Sequence, residues 1–177
     1  MLLEHEIKDR ALQQIAEQML IAARTAPKGR GINNVMLAIA EQKDFPRISE
    51  KMIEIGNRME QSFFIRDAEN ILQIEYMLVL AMKINPINLD CGWCGFANCA
   101  EKNKHPLVPC VFNVTDLAIA IGSAVSKAAD LRVDNRVMYS AGRAIKELNL
   151  LGEEAAIILC VPISATSKSP FFDRKTL

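Results

Sequence analysis

Apolar residues recur at helical spacing from the start of the chain. Leu12, Ile15, Ala16, Met19, Leu20 and Ala23 fall on one stripe, which predicts a long helix over residues 3–24. TAPKGRG follows, and Pro27, Gly29 and Gly31 end regular structure there. VMLAIAE (35–41) has the length of a strand. DFP (44–46) carries a helix-start signal, with Asp44 as N-cap and Pro46 in the first turn. Ile48, Met52, Ile55 and Met59 then mark a second amphipathic helix. EYMLVLAMKI (75–84) is continuously apolar up to Pro86 and predicts a buried strand, with a helix as the alternative. TDLAIAIGSAVSKAADL (115–131) predicts a helix opened by Thr115 or Asn113; its Ala, Gly and Ser permit close approach of another backbone or a flat ligand. DNRVMYSAGRAIKELNLL (134–151) predicts a helix capped by Asp134 or Asn135. Val137, Ala141, Ala144, Ile145 and Leu148 form its apolar face, and Gly152 stops it. AAIILCVPI (155–163) predicts a buried strand closed by Pro162. The tail SATSKSPFFDRKTL has no periodicity, and Phe171 and Phe172 predict that it docks. Strands alternating with helices indicate a layered α/β or α+β fold.

Composition narrows this picture. A length of 177 residues suits a single domain over 1–177, and 50% hydrophobic residues supply a core without a covalent or metal staple. Lys and Arg number 21, as do Asp and Glu. That balance, with no basic cluster, argues against a nucleic-acid partner. The apolar runs fall short of a membrane span, and MLLEHEIKDR lacks the apolar core of a signal peptide. The expected setting is cytoplasmic. Thiols stay reduced there, so the five cysteines read as metal-binding or catalytic rather than as disulfides. His5 and His105 are the two histidines, and no Ser–His–Asp set or HExxH motif points to hydrolysis.

Four of the five cysteines fall within LDCGWCGFANCAEKNKHPLVPC (89–110). Cys91, Cys94, Cys99 and Cys110 give C-x2-C-x4-C-x10-C. Two cysteines separated by two residues can turn both sulfurs onto one ion or cluster. Gly92 and Gly95 relax the backbone at that turn and free amide N–H groups to point at sulfur. Pro109 stiffens the approach of Cys110. Four thiolates in one loop repel each other unless a metal neutralises them. A compact triplet plus a distant singlet favours a 4Fe–4S cluster; structural zinc is the alternative, with His105 able to replace one ligand. His105 otherwise reads as an exposed loop residue, Trp93 as a cover over the cluster, and Cys160 as a small buried hydrophobe. The cysteine-rich insert is bounded at 86–112. Upstream, Arg24, Lys28 and Arg30 with Gly29 and Gly31 offer charge and close backbone approach. That suits a phosphate; it equally suits a solvated turn whose glycines permit unusual φ. Arg66 and Asp67 read as a local ion pair or cap.

CGWCGFANC resembles the small 4Fe–4S domain of electron-entry subunits of membrane redox complexes and of corrinoid iron–sulfur proteins, with a shorter spacer to the fourth cysteine. The whole chain resembles a group of ferredoxin-domain proteins of anaerobic microbes. AARTAPKGRGINN (22–34), FFIRDAEN (63–70), NLDCGWCGFANC (88–99), TDLAIAIGSAV (115–125), DNRVMYSAGRA (134–144) and KSPFFDR (168–174) carry the match. At a further remove, AARTAPKGRGINN is similar to the nitroreductase motif that ends a first helix before a strand. That resemblance implies an α+β nitroreductase-like helix–strand sandwich, a homodimer with FMN at its interface, and Arg24, Thr25, Lys28, Gly29, Arg30 and Asn34 as flavin-binding residues. The arginine-rich arm that grips the FMN phosphate in that family has no counterpart in MLLEHEIKDR. Together the readings imply an iron–sulfur redox protein, either a flavin-dependent oxidoreductase with the cluster as relay or an electron carrier or redox sensor. Its partner would be a redox protein or a small-molecule substrate. A structural zinc protein is the third reading.

Overall fold

The structure, a computed structural model, describes residues 1–172. Its elements run α1 (Glu4–Thr25), β1 (Val35–Glu41), α2 (Phe45–Met59), α3 (Ser62–Ile71), β2 (Tyr76–Met82), α4 (Cys99–Asn103), α5 (Val111–Asp130), β3 (Asp134–Asn135), α6 (Tyr139–Glu147) and β4 (Ile157–Ser164). The four strands form one antiparallel sheet in the order β1-β2-β4-β3.

Period-two alternation divides the sheet between two cores. Met77, Val79 and Ala81 of β2, with Ile158 and Cys160 of β4, face α2, α3 and α6. Tyr76, Leu78, Leu80 and Met82, with Val161 and Ile163, face α1 and α5. Helices on both faces leave every residue of β2 buried, which is why its sequence is a continuous apolar run and does not alternate. α1 buries Leu12, Ala16, Met19 and Ala23, a single helical stripe. The fold is α+β, as the alternation of elements predicts.

Several boundaries differ from the sequence-based expectation. Asp44 precedes α2, but its side chain does not cap it; the carboxylate accepts the Glu41 N–H at 3.0 Å. α3 was not expected, although Phe64, Ala68 and Ile71 follow one another at i, i+4, i+7 and are buried. Residues 134–135 do not cap a helix. They pair with Ile163 and Ser164 of β4, and α6 begins at Tyr139. Pro162 lies inside β4, opposite Met77 of β2. Extending the β3–β4 register puts Arg136 across from Pro162 on the other side. Pro has no N–H to donate there, and β3 accordingly ends at Asn135, with pairing resuming only at Met138↔Cys160. Cys160 is fully buried and burial pushes its thiol pKa up, as a packed hydrophobe requires.

α5 is apolar and long enough to meet the criteria for a membrane span by length and composition. Here Leu117, Ala120, Ile121, Ala124 and Ala128 pack into the core between α1 and the sheet.

Candidate metal centre

Between β2 and α5 the chain leaves the layered frame. Within residues 88–110 only Lys102 and Cys110 are buried, and none of these residues joins either apolar core. Alternate residues of the first turn are left-handed: Asn88 (φ 53°), Asp90 (φ 48°) and Gly92 (φ 73°), then Gly95 (φ 86°). Asn and Asp tolerate that region better than other non-glycine residues. The Asp90 carboxylate accepts the Cys99 N–H at 2.7 Å, and Asn98 caps α4 through the Glu101 N–H at 2.8 Å. Cys99 is therefore held at the first turn of α4.

Cys91, Cys94 and Cys99 are half-buried and Cys110 is buried; none forms a disulfide. Cys110 occupies the N-cap position of α5, which starts at Val111, before the expected Asn113 or Thr115. Asn113 and Asp116 point inward instead. Asn113 Oδ1 accepts the Asn85 N–H at 2.9 Å, and Asp116 Oδ1 accepts the Gly29 N–H at 2.9 Å. The four thiols share one segment, but their sulfurs do not meet at one point. Among the described residues no three His, Cys, Asp or Glu side chains converge into a group able to hold a metal. The donor set nonetheless fits a metal–thiolate centre in kind: four free thiols in an otherwise coreless segment.

Trp93 is 73% exposed and stacks on Phe112 with centroids 5.6 Å apart, so it lies over the base of α5. His105 is exposed and stacks on Phe96. A cleft of about 870 Å³ opens beside the segment, lined in part by Asn34, Lys83, Asn85, Leu107, Pro109 and Glu154.

The loop after α1 is spent on internal contacts. Arg24 Nη1 donates to Asn33 Oδ1 at 2.6 Å and to the Val35 carbonyl at 3.1 Å. Thr25 Oγ1 donates back to the Ile21 and Ala22 carbonyls. Lys28 Nζ donates to the carbonyls of Ala23, Arg24 and Ala26, closing the C-terminus of α1. Burial and the neighbouring Arg24 charge pull the Lys28 pKa below its ordinary value, and Asp116 partly offsets them. Arg30, itself left-handed at φ 53°, donates to the Ile87 carbonyl at 2.8 Å and the Asn88 carbonyl at 3.3 Å. Asn34 Oδ1 accepts from Asn85 Nδ2 at 2.9 Å, and Asn34 Nδ2 donates to the Asn85 carbonyl at 3.2 Å. The six residues expected around a flavin phosphate instead tie α1 to the entry of the cysteine segment and to α5.

Arg66 and Asp67 form the expected ion pair at 2.8 Å. Asp67 does more than that. It is buried and also accepts the Ser140 hydroxyl at 2.6 Å, joining α3 to α6. Arg136 reaches the Phe171 carbonyl at 3.3 Å and lies over the Phe172 ring. Phe171 docks fully and Phe172 stays exposed. The end of the KSPFFDR match, Asp173 and Arg174, lies outside the described residues.

An antiparallel sheet covered on both faces by helices, in this order, is the nitroreductase-like fold. A nitroreductase family protein from Clostridium novyi NT superposes with a TM-score of 0.62 at 14% identity, over 86% of this chain and 73% of that one. A nitroreductase with bound FMN from Bacteroides fragilis gives 0.61 at 11% identity, over 93% and 82%. An oxidoreductase containing FMN gives 0.60 at 14%, over 88% and 67%. At such identities the likeness is one of fold. A protein of Archaeoglobus fulgidus is 35% identical over 179 aligned positions, covering 97% of this chain and 96% of its own. Residues 108–174 match the family described as "uncharacterized protein containing a ferredoxin domain". The chain belongs to that family. The matched residues include Cys110 and leave Cys91, Cys94 and Cys99 outside.

Proposed function

We propose that this is a cytoplasmic iron–sulfur redox protein in which Cys91, Cys94, Cys99 and Cys110 together hold a 4Fe–4S cluster. The observation that carries the reading is the coreless segment: of residues 88–110 only Lys102 and Cys110 are buried, and no apolar side chain is. A segment without a core gains its order from something other than hydrophobic burial, and four thiolates around a metal supply it. The ferredoxin-domain family and the fold likeness both support a redox role. A 4Fe–4S cluster, when bound, takes up and releases one electron at a time.

The chain's own part is to place ligands and limit water. Arg30 fixes the Ile87 and Asn88 carbonyls at the entry, Asp90 fixes the Cys99 amide, and Cys110 rides on the first turn of α5. The left-handed residues 88, 90, 92 and 95 turn the backbone on which Cys91 and Cys94 sit. Trp93 on Phe112 and Phe96 on His105 flank it. A redox protein would approach at this exposed end; a small substrate would enter the neighbouring cleft.

A second reading, an FMN-dependent oxidoreductase built as a homodimer, is favoured by the fold and by the exposed face of α5. Ala118, Ile119, Gly122 and Ser126 there offer a small, apolar surface to a second copy. Arg24, Thr25, Lys28, Gly29, Arg30 and Asn34 do not fit a phosphate grip as they stand, because each is already bonded within the chain. Anaerobic purification followed by iron, acid-labile sulfide, zinc and flavin analysis separates the readings. Iron and sulfide without flavin supports the electron carrier. Bound flavin supports the oxidoreductase, and zinc alone rejects both.

A further inference from the structure

A cavity of about 620 Å³ opens between α3 and the chain that leaves β4, on the face of the sheet opposite α1 and α5. No residue of the cysteine segment lines it. One wall is the second half of α3, with Arg66, Glu69 and Asn70, and Gln73 just beyond. The other is a strap, residues 166–171. The strap is pinned in place. Phe171 is buried and its carbonyl accepts from Arg136 at 3.3 Å. Asn70, in the amide orientation that satisfies both its ends, donates to the Pro170 carbonyl at 3.0 Å. Thr166 Oγ1 donates to the Lys168 carbonyl at 2.5 Å.

The walls carry more donors than the chain itself uses. Arg66 commits Nε and Nη2 to Asp67, and its Nη1 makes no hydrogen bond among the described residues. Arg136 stands 4.0 Å from the same carboxylate, so two guanidiniums share one anion and the charge left over is positive. Lys168 is exposed and enters no ion pair among the described residues; Ser167 beside it is exposed too. Ser169 Oγ is buried in the strap with no partner among the described residues, and a buried hydroxyl is rarely left that way. Glu69 is the one acidic residue in the lining.

We propose that this cavity binds a small hydroxylated oxyanion, a carboxylate or a phosphate. Arg66 and Lys168 grip the charged oxygens, and Ser167 and Glu69 meet the hydroxyls. A guanidinium edge and an ammonium are the donors that oxyanions pair with best. The volume is that of a small-molecule site, and its polar walls select a charged ligand over an apolar one. The site is built without any of the five cysteines and does not depend on what the thiols hold.

The test titrates the intact chain with glycerol 3-phosphate and with glycerate, which differ in their anion, and with glycerol as the uncharged control. Amide chemical shifts report where each binds. Saturable shifts confined to residues 66–73 and 166–171 are expected with at least one of the two anions and not with glycerol. Response to the phosphate alone, to the carboxylate alone or to both then says which oxyanion the site takes. Lys168→Met is expected to bind about tenfold more weakly, the loss of one charged hydrogen bond, with an unchanged melting temperature because the side chain is exposed. Lys168→Arg should bind as wild type does. Lys127→Met, which removes a charge from α5 on the other face of the sheet, should leave binding unchanged. Absence of saturable binding by both anions would overturn the proposal. So would equal binding of glycerol, wild-type affinity in Lys168→Met, or equal weakening in Lys168→Met and Lys168→Arg.

Discussion

Gly142 sits in the middle of α6, where the helix crosses β4, and a single methyl group there meets the sheet backbone. A Cβ on Gly142 would lie 1.9 Å from the Ile158 carbonyl oxygen and 2.6 Å from its carbon. Ordinary contact begins near 3.4 Å, so Gly142→Ala requires α6 to lift by about 1.5 Å. Ile158 cannot retreat, because β4 is held by β2 on one side and by the Met138 bridge on the other. Lifting α6 also loosens Ala141, Ala144 and Ile145 from the core. Overpacking of this kind costs about 1–3 kcal/mol, and occasionally more. Alanine returns about 1 kcal/mol of helix propensity. The clash lies with backbone and not with a mobile side chain, so a net loss of about 2 kcal/mol is expected. That is a large part of the ~5–15 kcal/mol that holds a domain together. Urea unfolding should show a lower midpoint with an unchanged slope, and the melting temperature should fall by roughly 4–8 °C. Gly122→Ala is the matched control. No atom lies within 4 Å of its Cβ position, and it should be neutral or gain up to about 1 kcal/mol. A Gly142→Ala protein as stable as wild type would refute the close α6–β4 approach.

Ser140→Ala strips a buried carboxylate oxygen of Asp67 of its 2.6 Å partner. It should cost about 1–3 kcal/mol in denaturant unfolding, and a loss below about 0.5 kcal/mol would contradict the buried bond. Arg30→Ala releases the Ile87 and Asn88 carbonyls. Amide exchange at residues 87–91 should quicken while added FMN binds no differently from wild type; weakened flavin binding would return Arg30 to a phosphate site. Gly122→Glu places a charge on the exposed face of α5, and sedimentation should show a wild-type dimer turned to monomer. A wild-type monomer would remove the homodimer and its interface flavin together.

Legibility followed the physics of each element. β2 and β4 were readable because a sheet covered on both faces demands unbroken apolar runs. α1 was readable because its stripe repeats over many turns. Asp134 and Asn135 carry the composition of a cap, but pairing with the end of β4 overrides it, and nothing local encodes that partner. Asn113 and Thr115 look like helix starts for the same local reason. Asn113 and Asp116 instead accept amides from Asn85 and Gly29, more than 25 residues away in sequence. The loop at 24–34 shows the same limit. Its charges suggest an anion, and the structure turns each of them onto the chain's own carbonyls and amides. The cysteine spacing pointed to one segment, which the structure outlines as the part of the chain lacking a core. The burial of Lys102, between Glu101 and Asn103, left no mark in the sequence.

On the proposed function, residues 88–110 order around iron and sulfide held by four thiolates. The direct measurement is the iron, sulfide and zinc content of anaerobically purified protein beside its Cys94→Ala variant, with the visible spectrum recorded before and after reductant. A 4Fe–4S protein should hold close to four iron and four sulfide per chain, show a broad visible band bleached by reductant, and lose or convert the cluster in the variant. Colourless wild type with no iron, or a Cys94→Ala protein with unchanged iron and sulfide, would contradict it.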